Sequence, residues 1–299
     1  MNALKLLLKG FCMGAADVVP GVSGGTMALI LGIYRELIEA IKSFDLNWAK
    51  ALLRFDFKKI LSLPHFAFLI PLLLGIVSAV LFFTRVISIP KLIESSPTLV
   101  YGLFFGLIVG SIIVLVYEIK QWNLYLLGSL LLGTIFGYVV VTLVPAETPF
   151  DSWFIFLCGT IAICAMVLPG ISGSFLLLIL GKYAYILDGI GHFKFHIILP
   201  FALGAAIGLM LFTRFLSWLL RLYEKITMNF ITGILIASLW IIWPFQERTY
   251  VVVREKKRII SSVPTMPANL EMIWQPLILA VLGTALVVIL NGLANRRHS

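Results

Sequence analysis

The sequence predicts an all-α, polytopic membrane protein made of two inverted repeats, each a re-entrant helical hairpin plus three transmembrane helices. Three observations carry this. First, 61% of the 299 residues are hydrophobic and 12% charged, with a mean hydropathy of +1.05. That balance excludes a soluble domain. Second, the apolar runs are long and continuous rather than alternating, so they read as helices and not as barrel strands. Third, one interrupted apolar run occurs twice. Residues 10–37 reach Pro20-Gly21, break at Val22-Ser23-Gly24-Gly25-Thr26 and resume at Met27. Residues 159–186 repeat it without a gap. Pro169 aligns with Pro20, Ser172 with Ser23, Leu178-Ile179-Leu180-Gly181 with Leu29-Ile30-Leu31-Gly32, and Tyr183 with Tyr34.

The first element is the break itself. Proline lacks an N–H, and closely spaced glycines favour non-helical angles. In a bilayer each backbone N–H left unpaired costs on the order of several kcal/mol, so a repeated break needs a reason. Its arms fall short of the roughly 20 residues a span requires, which points to a hairpin entering and leaving on one side. Gly14-Ala15-Ala16 looks like a signal-peptide cleavage site, but cleavage there would destroy one copy of the motif, so the segment is kept.

Residues 42–64 carry Lys42, Lys50, Arg54, Lys58 and Lys59 among Phe, Leu and Trp. They are too charged to span, and read either as helix lying on the membrane surface or as a basic loop. Spans follow at 65–89, with Pro71, Gly75 and Thr84-Arg85, then at 98–117 and 123–144. The connection 145–151 holds Glu147 and Asp151 and no Lys or Arg.

The second half follows the same plan. Residues 152–187 hold the second break. The span 197–220 carries Pro200, Gly204 and Thr213-Arg214 at one constant offset from Pro71, Gly75 and Thr84-Arg85. Spans at 226–244 and 272–292 complete it. Between them, Tyr250–Val253 and Ile259–Val263 around Glu255-Lys256-Lys257 read as a small β-hairpin. The chain is thus one membrane domain, 1–299, with repeats 10–144 and 159–292. An odd number of crossings in each repeat makes them inverted.

Lys5, Lys9, the 42–64 loop, Lys120, Arg221, Lys225 and Arg296-Arg297 place both termini in the cytoplasm, while the basic 246–271 loop falls on the outer side against that trend. The net charge of +9 therefore reflects topology and anionic lipid headgroups, not nucleic acid. Cys12, Cys158 and Cys164 form no C-x-x-C pair and have no histidine at ligand spacing. They read as small buried hydrophobes without a disulfide, and the sequence calls for no metal or cofactor.

Two clusters carry candidate chemistry. Gly21, Ser23, Gly24, Gly25 and Thr26, with Gly170, Ser172, Gly173 and Ser174, offer hydroxyls and closely approachable N–H groups to a phosphate or carboxylate. The competing reading is close helix packing through small residues. Arg85 and Arg214, near matched span ends, either receive an anionic headgroup or snorkel to the interface. Asp17 has Met166 as its counterpart. This single carboxylate either couples transport to a proton or sodium gradient, caps the half-helix, or pairs with an arginine.

The stretches MGAADVVPGVSGGTMALILGIY at 13–34 and VLPGISGSFLLLILGKY at 167–183 resemble the polyprenyl-phosphate transporters of bacteria and archaea. That resemblance implies a non-enzymatic flippase in the cytoplasmic membrane, which returns undecaprenyl phosphate, the lipid carrier of peptidoglycan synthesis, to the inner leaflet. Its partners would be that lipid and the surrounding membrane. A small-anion or ion transporter is the alternative reading. A third is an undecaprenyl-diphosphate phosphatase. Those enzymes follow Pro-Gly-x-Ser with Arg-Ser, where this chain has Gly24 and Gly173, and they add a glutamate pair that no membrane segment here supplies.

Overall fold

The computed structural model describes all residues except 1, 20–21, 88–91, 94, 144–147, 254–255, 268–272 and 296–299. Pro20 and the candidate Gly21 therefore lie outside the described residues. The elements are α1 (Ala3–Asp17), α2 (Gly24–Ile30), α3 (Tyr34–Lys42), α4 (Leu46–Leu53), α5 (Phe57–Ser62) and α6 (Phe66–Arg85), followed by α7 (Pro97–Tyr117) and α8 (Leu124–Val141). Next come α9 (Ser152–Val167), α10 (Gly173–Ile179), α11 (Tyr183–Gly191), α12 (Phe195–Leu222) and α13 (Glu224–Ile242). Strands β1 (Gln246–Val253) and β2 (Lys256–Pro264) precede the last helix, α14 (Trp274–Asn295).

Among the described residues five helices, α6, α7, α8, α12 and α13, are long and apolar enough to cross a membrane, while the apolar stretch of α14 over which side chains are described, Trp274–Ile289, is shorter. The broken pair α10 and α11 meets at 112°. The chain is a multi-pass helical membrane protein. The segment 42–64 is mostly helical, as α4 and α5, started by Asp45 accepting from the Trp48 N–H and Asp56 accepting from the Lys59 N–H. The β-hairpin is present and longer than expected, pairing Gln246 with Pro264 and Val253 with Lys256.

The chain divides into two compact units. The first holds residues 1–18, 23–86 and 144–223. Within it α1 packs on α6, and α9 packs on α12. Both pairs touch through glycines. Gly10 lies on the Leu72 carbonyl and Gly75 on the Leu7 carbonyl; Gly159 lies on the Phe201 carbonyl and Gly204 on the Phe156 carbonyl. None has room for a Cβ, so small residues let the backbones meet where the hydrophobic effect contributes little. Ile155, Cys158, Ala162, Leu177, Ile186 and Ile197 form a buried cluster beneath the second break. The outward face of α6, with Leu73, Leu74, Val77 and Leu81, is exposed and apolar, as lipid contact requires.

The second unit holds residues 19–22, 87–143 and 224–299. Here α7 pairs with α14, and α8 with α13. Gly106 lies on the Ala280 carbonyl and Gly133 on the Phe230 carbonyl. The Ser129 hydroxyl donates to the Ile226 carbonyl at 2.7 Å, and the Thr284 hydroxyl to the Gly106 carbonyl at 2.9 Å.

All three cysteines are free, but only Cys158 is buried; Cys164 is half-buried and Cys12 exposed. Buried placement for all three is thus corrected. Cys12 follows Leu4 and Leu8, both more than half exposed, at helical spacing on one outward stripe.

Candidate functional site

The half-helices that follow the two breaks lie in the first unit, and their bonds repeat. After α2, Gly32 N–H donates to the Leu29 carbonyl and Ile33 N–H to the Ala28 carbonyl. After α10, Gly181 N–H donates to Leu178 and Lys182 N–H to Leu177. Gly32 and Gly181 both have φ +65. These are paired Schellman caps, whose left-handed residue must be glycine to avoid a Cβ penalty.

Before the half-helices the copies diverge. At α2, Ser23 is the N-cap and its Oγ accepts from the Gly25 N–H at 3.2 Å. Asp17 reaches back from the end of α1, and its Oδ1 accepts from the Gly24 N–H at 2.7 Å. A Cβ on Gly24 would lie 2.6 Å from that carboxylate. Ser23 and Thr26 are buried. At α10, Ser172 makes no capping bond, and its Oγ lies 2.9 Å from Ser174 Oγ. Ser172 is half-buried and Ser174 exposed. A Cβ on Gly173 would lie on the Ala162 carbonyl oxygen and 2.6 Å from the Met166 side chain. The first tip is thus closed by its own carboxylate, and the second carries two hydroxyls bonded to each other, with Ser174 exposed.

The tips are also tied to each other. The Gly170 N–H donates to Thr26 Oγ1 at 2.9 Å, and the Tyr34 hydroxyl donates to the Val167 carbonyl at 3.0 Å. A Cβ on Gly25 would lie 3.1 Å from the Met166 carbonyl. Packing accounts for Gly25 and Thr26, whereas it leaves Ser172 half-buried and Ser174 exposed. Of the three sequence readings of Asp17, contact with the half-helix is the one this geometry displays.

The arginines stand apart from the tips. Arg214 is half-buried and donates to the Met210 carbonyl of its own helix at 3.0 Å. Its charge also acts on Asp45. Arg85 ends α6 and is exposed. Neither bonds to a tip among the described residues.

A second polar centre went unread in the sequence. Glu39 of α3 accepts from the Ser217 hydroxyl of α12 at 2.5 Å, from Lys42 at 3.2 Å and from Arg221 at 3.3 Å. Partial burial pushes the Glu39 carboxyl up, but the bonds from Ser217 and Lys42 and the charges of Lys42 and Arg221 outweigh it and hold the carboxyl below the usual glutamate range. Helical spacing of Glu39 and Lys42 was visible; their partners on α12, far along the chain, were not.

Spanning helices packed through glycine, with two matched breaks in the apolar segments, define a multi-pass membrane protein of the broken-helix kind in which carriers hold their sites. Residues 13–260 match the model of the VCA0040-like family, described as undecaprenyl phosphate translocase-like. The chain belongs to that family. It is similar to the polyprenyl-phosphate transporter of Vibrio cholerae, with 39% identity over 83% of this chain and 80% of that one. It is 30% identical to the polyprenyl-phosphate transporter of Staphylococcus aureus, over 80% of this chain and 85% of the other. No solved structure matches the chain.

Proposed function

We propose that this protein flips undecaprenyl phosphate across the cytoplasmic membrane of a prokaryote, returning the carrier lipid for reuse in cell-wall synthesis. The observation that carries the reading is the family match, which takes in both breaks and is supported by relatives named polyprenyl-phosphate transporters. No substrate bond is broken, so the protein is a carrier and not an enzyme.

The headgroup needs a polar path, and the isoprenoid tail stays in lipid. In this proposal the phosphate enters at Ser172 and Ser174, half-buried and exposed respectively, beside Gly170 and Gly173. On the first tip the Asp17 carboxylate already holds the Gly24 N–H, so phosphate and Asp17 compete for the same donors beside Ser23 and Gly25. A proton taken by Asp17 would weaken that bond and free the donor, coupling headgroup passage to a proton gradient; a sodium ion neutralising the carboxylate would act alike. Arg85 and Arg214 receive the anion near opposite faces if repeats 10–144 and 159–292 are inverted, with both termini cytoplasmic.

The test uses purified protein in liposomes carrying a fluorescent polyprenyl phosphate, with leaflet exchange as readout. Exchange well above that of empty liposomes is expected. No acceleration across pH and sodium gradients overturns the proposal, and release of entrapped inorganic phosphate without lipid exchange reassigns the protein to small-anion transport.

A further inference from the structure

The two elbows after α2 and α10 share more than their Schellman caps. Each cap leaves the carbonyl of the C-cap residue, Leu31 or Leu180, outside its own bonding pattern. In apolar surroundings such a carbonyl needs a partner, and as the negative end of a helix it attracts a cation. At the first elbow the Lys9 ammonium, reaching from α1, donates to the Leu31 carbonyl at 2.6 Å. At the second, the Thr148 hydroxyl donates to the Leu180 carbonyl at 2.5 Å. The Lys182 ammonium in turn donates to the Thr148 carbonyl at 2.7 Å and stands 3.7 Å from the centre of the Phe150 ring.

With Pro20 laid on Pro169, Lys9 falls on Cys158 and Ile33 falls on Lys182. The lysine has moved from the first arm to the bend, and its former place is apolar in each copy. Ile33 and Cys158 are both fully buried. Yet the ammonium stays at the elbow, and Lys182 is near enough to Cys158 to act on it electrostatically. Snorkelling does not explain this, because Lys182 is only 1% exposed.

We infer that each hairpin elbow is built to hold one resident ammonium, and that Lys9 and Lys182 are equivalent positioning residues, supplied from different helices, which fix the bend behind each tip. Half-helix C-terminal ends are where broken-helix carriers coordinate a mobile cation. Here a tethered one meets the first end directly and the second through Thr148.

The test is a transplant in the full-length protein, comparing Lys182→Ile with the double variant Cys158→Lys, Lys182→Ile. The double variant moves the second elbow's lysine to the arm, as in the first. Thermal midpoint in detergent and lipid exchange in liposomes are read together. The single variant is expected to lose tenfold or more in exchange and to melt earlier, and the double variant to recover most of both. Wild-type behaviour of the single variant overturns the inference. So does a double variant no better than the single, and if the single fails to fold, failure of the double to restore folded yield counts equally against it. Should the wild type itself not exchange lipid, the transport proposal falls separately, and the melting comparison still judges the elbow.

Discussion

The Asp17 carboxylate lies against Gly24 so closely that it accepts the glycine N–H at 2.7 Å and leaves no space for a Cβ. In the other copy the side chain facing Gly173 is Met166. One half-helix therefore begins against a carboxylate and the other against a backbone carbonyl, that of Ala162, and an uncharged side chain. Asp17→Asn preserves the shape and an acceptor oxygen but removes the charge. It should leave the thermal midpoint nearly unchanged while flattening the pH dependence of lipid exchange. A variant whose exchange keeps the wild-type pH profile would remove Asp17 from coupling.

The bonds that join the breaks make a separate prediction. Tyr34→Phe leaves the Val167 carbonyl without its donor, and Thr26→Val leaves the Gly170 N–H without its acceptor. Each should destabilise by about 1–3 kcal/mol, the cost of an unmet buried polar group. Thr26→Ser keeps the hydroxyl and should recover much of that loss. Unfolding in detergent, followed by tryptophan fluorescence, measures all three.

Replacing Ser172 and Ser174 together with alanine should lower lipid exchange at least tenfold with little change in melting, because neither hydroxyl caps a backbone group. Equal losses in exchange and stability would return these serines to a packing role.

Glu39 gives a pH dependence with a definite sign. Its carboxyl is held below the usual range by Ser217, Lys42 and Arg221 against the effect of burial, so its contribution is fully present above roughly pH 4–5 and fades as pH falls through the lowered value. The melting difference between wild type and Glu39→Gln should therefore be constant near neutrality and shrink on acidification. A difference that grows instead would show that the carboxylate is not stabilised by those partners.

Glycine contacts predict opposite outcomes at two positions of α8. Gly133→Ala would drive a methyl into the Phe230 carbonyl, whereas Gly128 has nothing within 4 Å of its would-be Cβ. The first should cost about 1–3 kcal/mol or more. The second should stabilise by about 0.5–1 kcal/mol through helix propensity. Melting midpoints of the two variants decide it.

Much of this architecture was legible because bilayer solubility constrains sequence strongly. The span expected at 98–117 is α7, Pro97–Tyr117, and that at 123–144 is α8, Leu124–Val141. The span expected to reach residue 89 stops at Arg85. The duplicated break was legible too, because glycine at Gly32 and Gly181 answers a backbone angle that few other residues adopt. Partnerships across the chain were not. Nothing local to Thr26 announces Gly170, and nothing local to Glu39 announces Ser217. The cysteines show the same limit, since an apolar run does not say which stripe of its helix meets protein and which meets lipid.

The pairing in the second unit bears on how the chain is made. Helix α7 is completed by α14, and α8 by α13, so the first two helices of that unit are synthesised long before their partners. During that interval the notches at Gly106 and Gly133 stand open to whatever membrane neighbour is near. The first unit has no such wait for its opening pair, because α6 follows α1 within the same stretch of chain. Assembly should therefore proceed in two beats, with the earliest pair closing while the ribosome is still working and the second unit clasped only at the end. A photo-cross-linking side chain at Leu103, whose carbonyl borders Gly283, should capture α14 only in chains long enough to include that helix, and capture of other proteins by shorter nascent chains would mark a caretaker that shields the open notch.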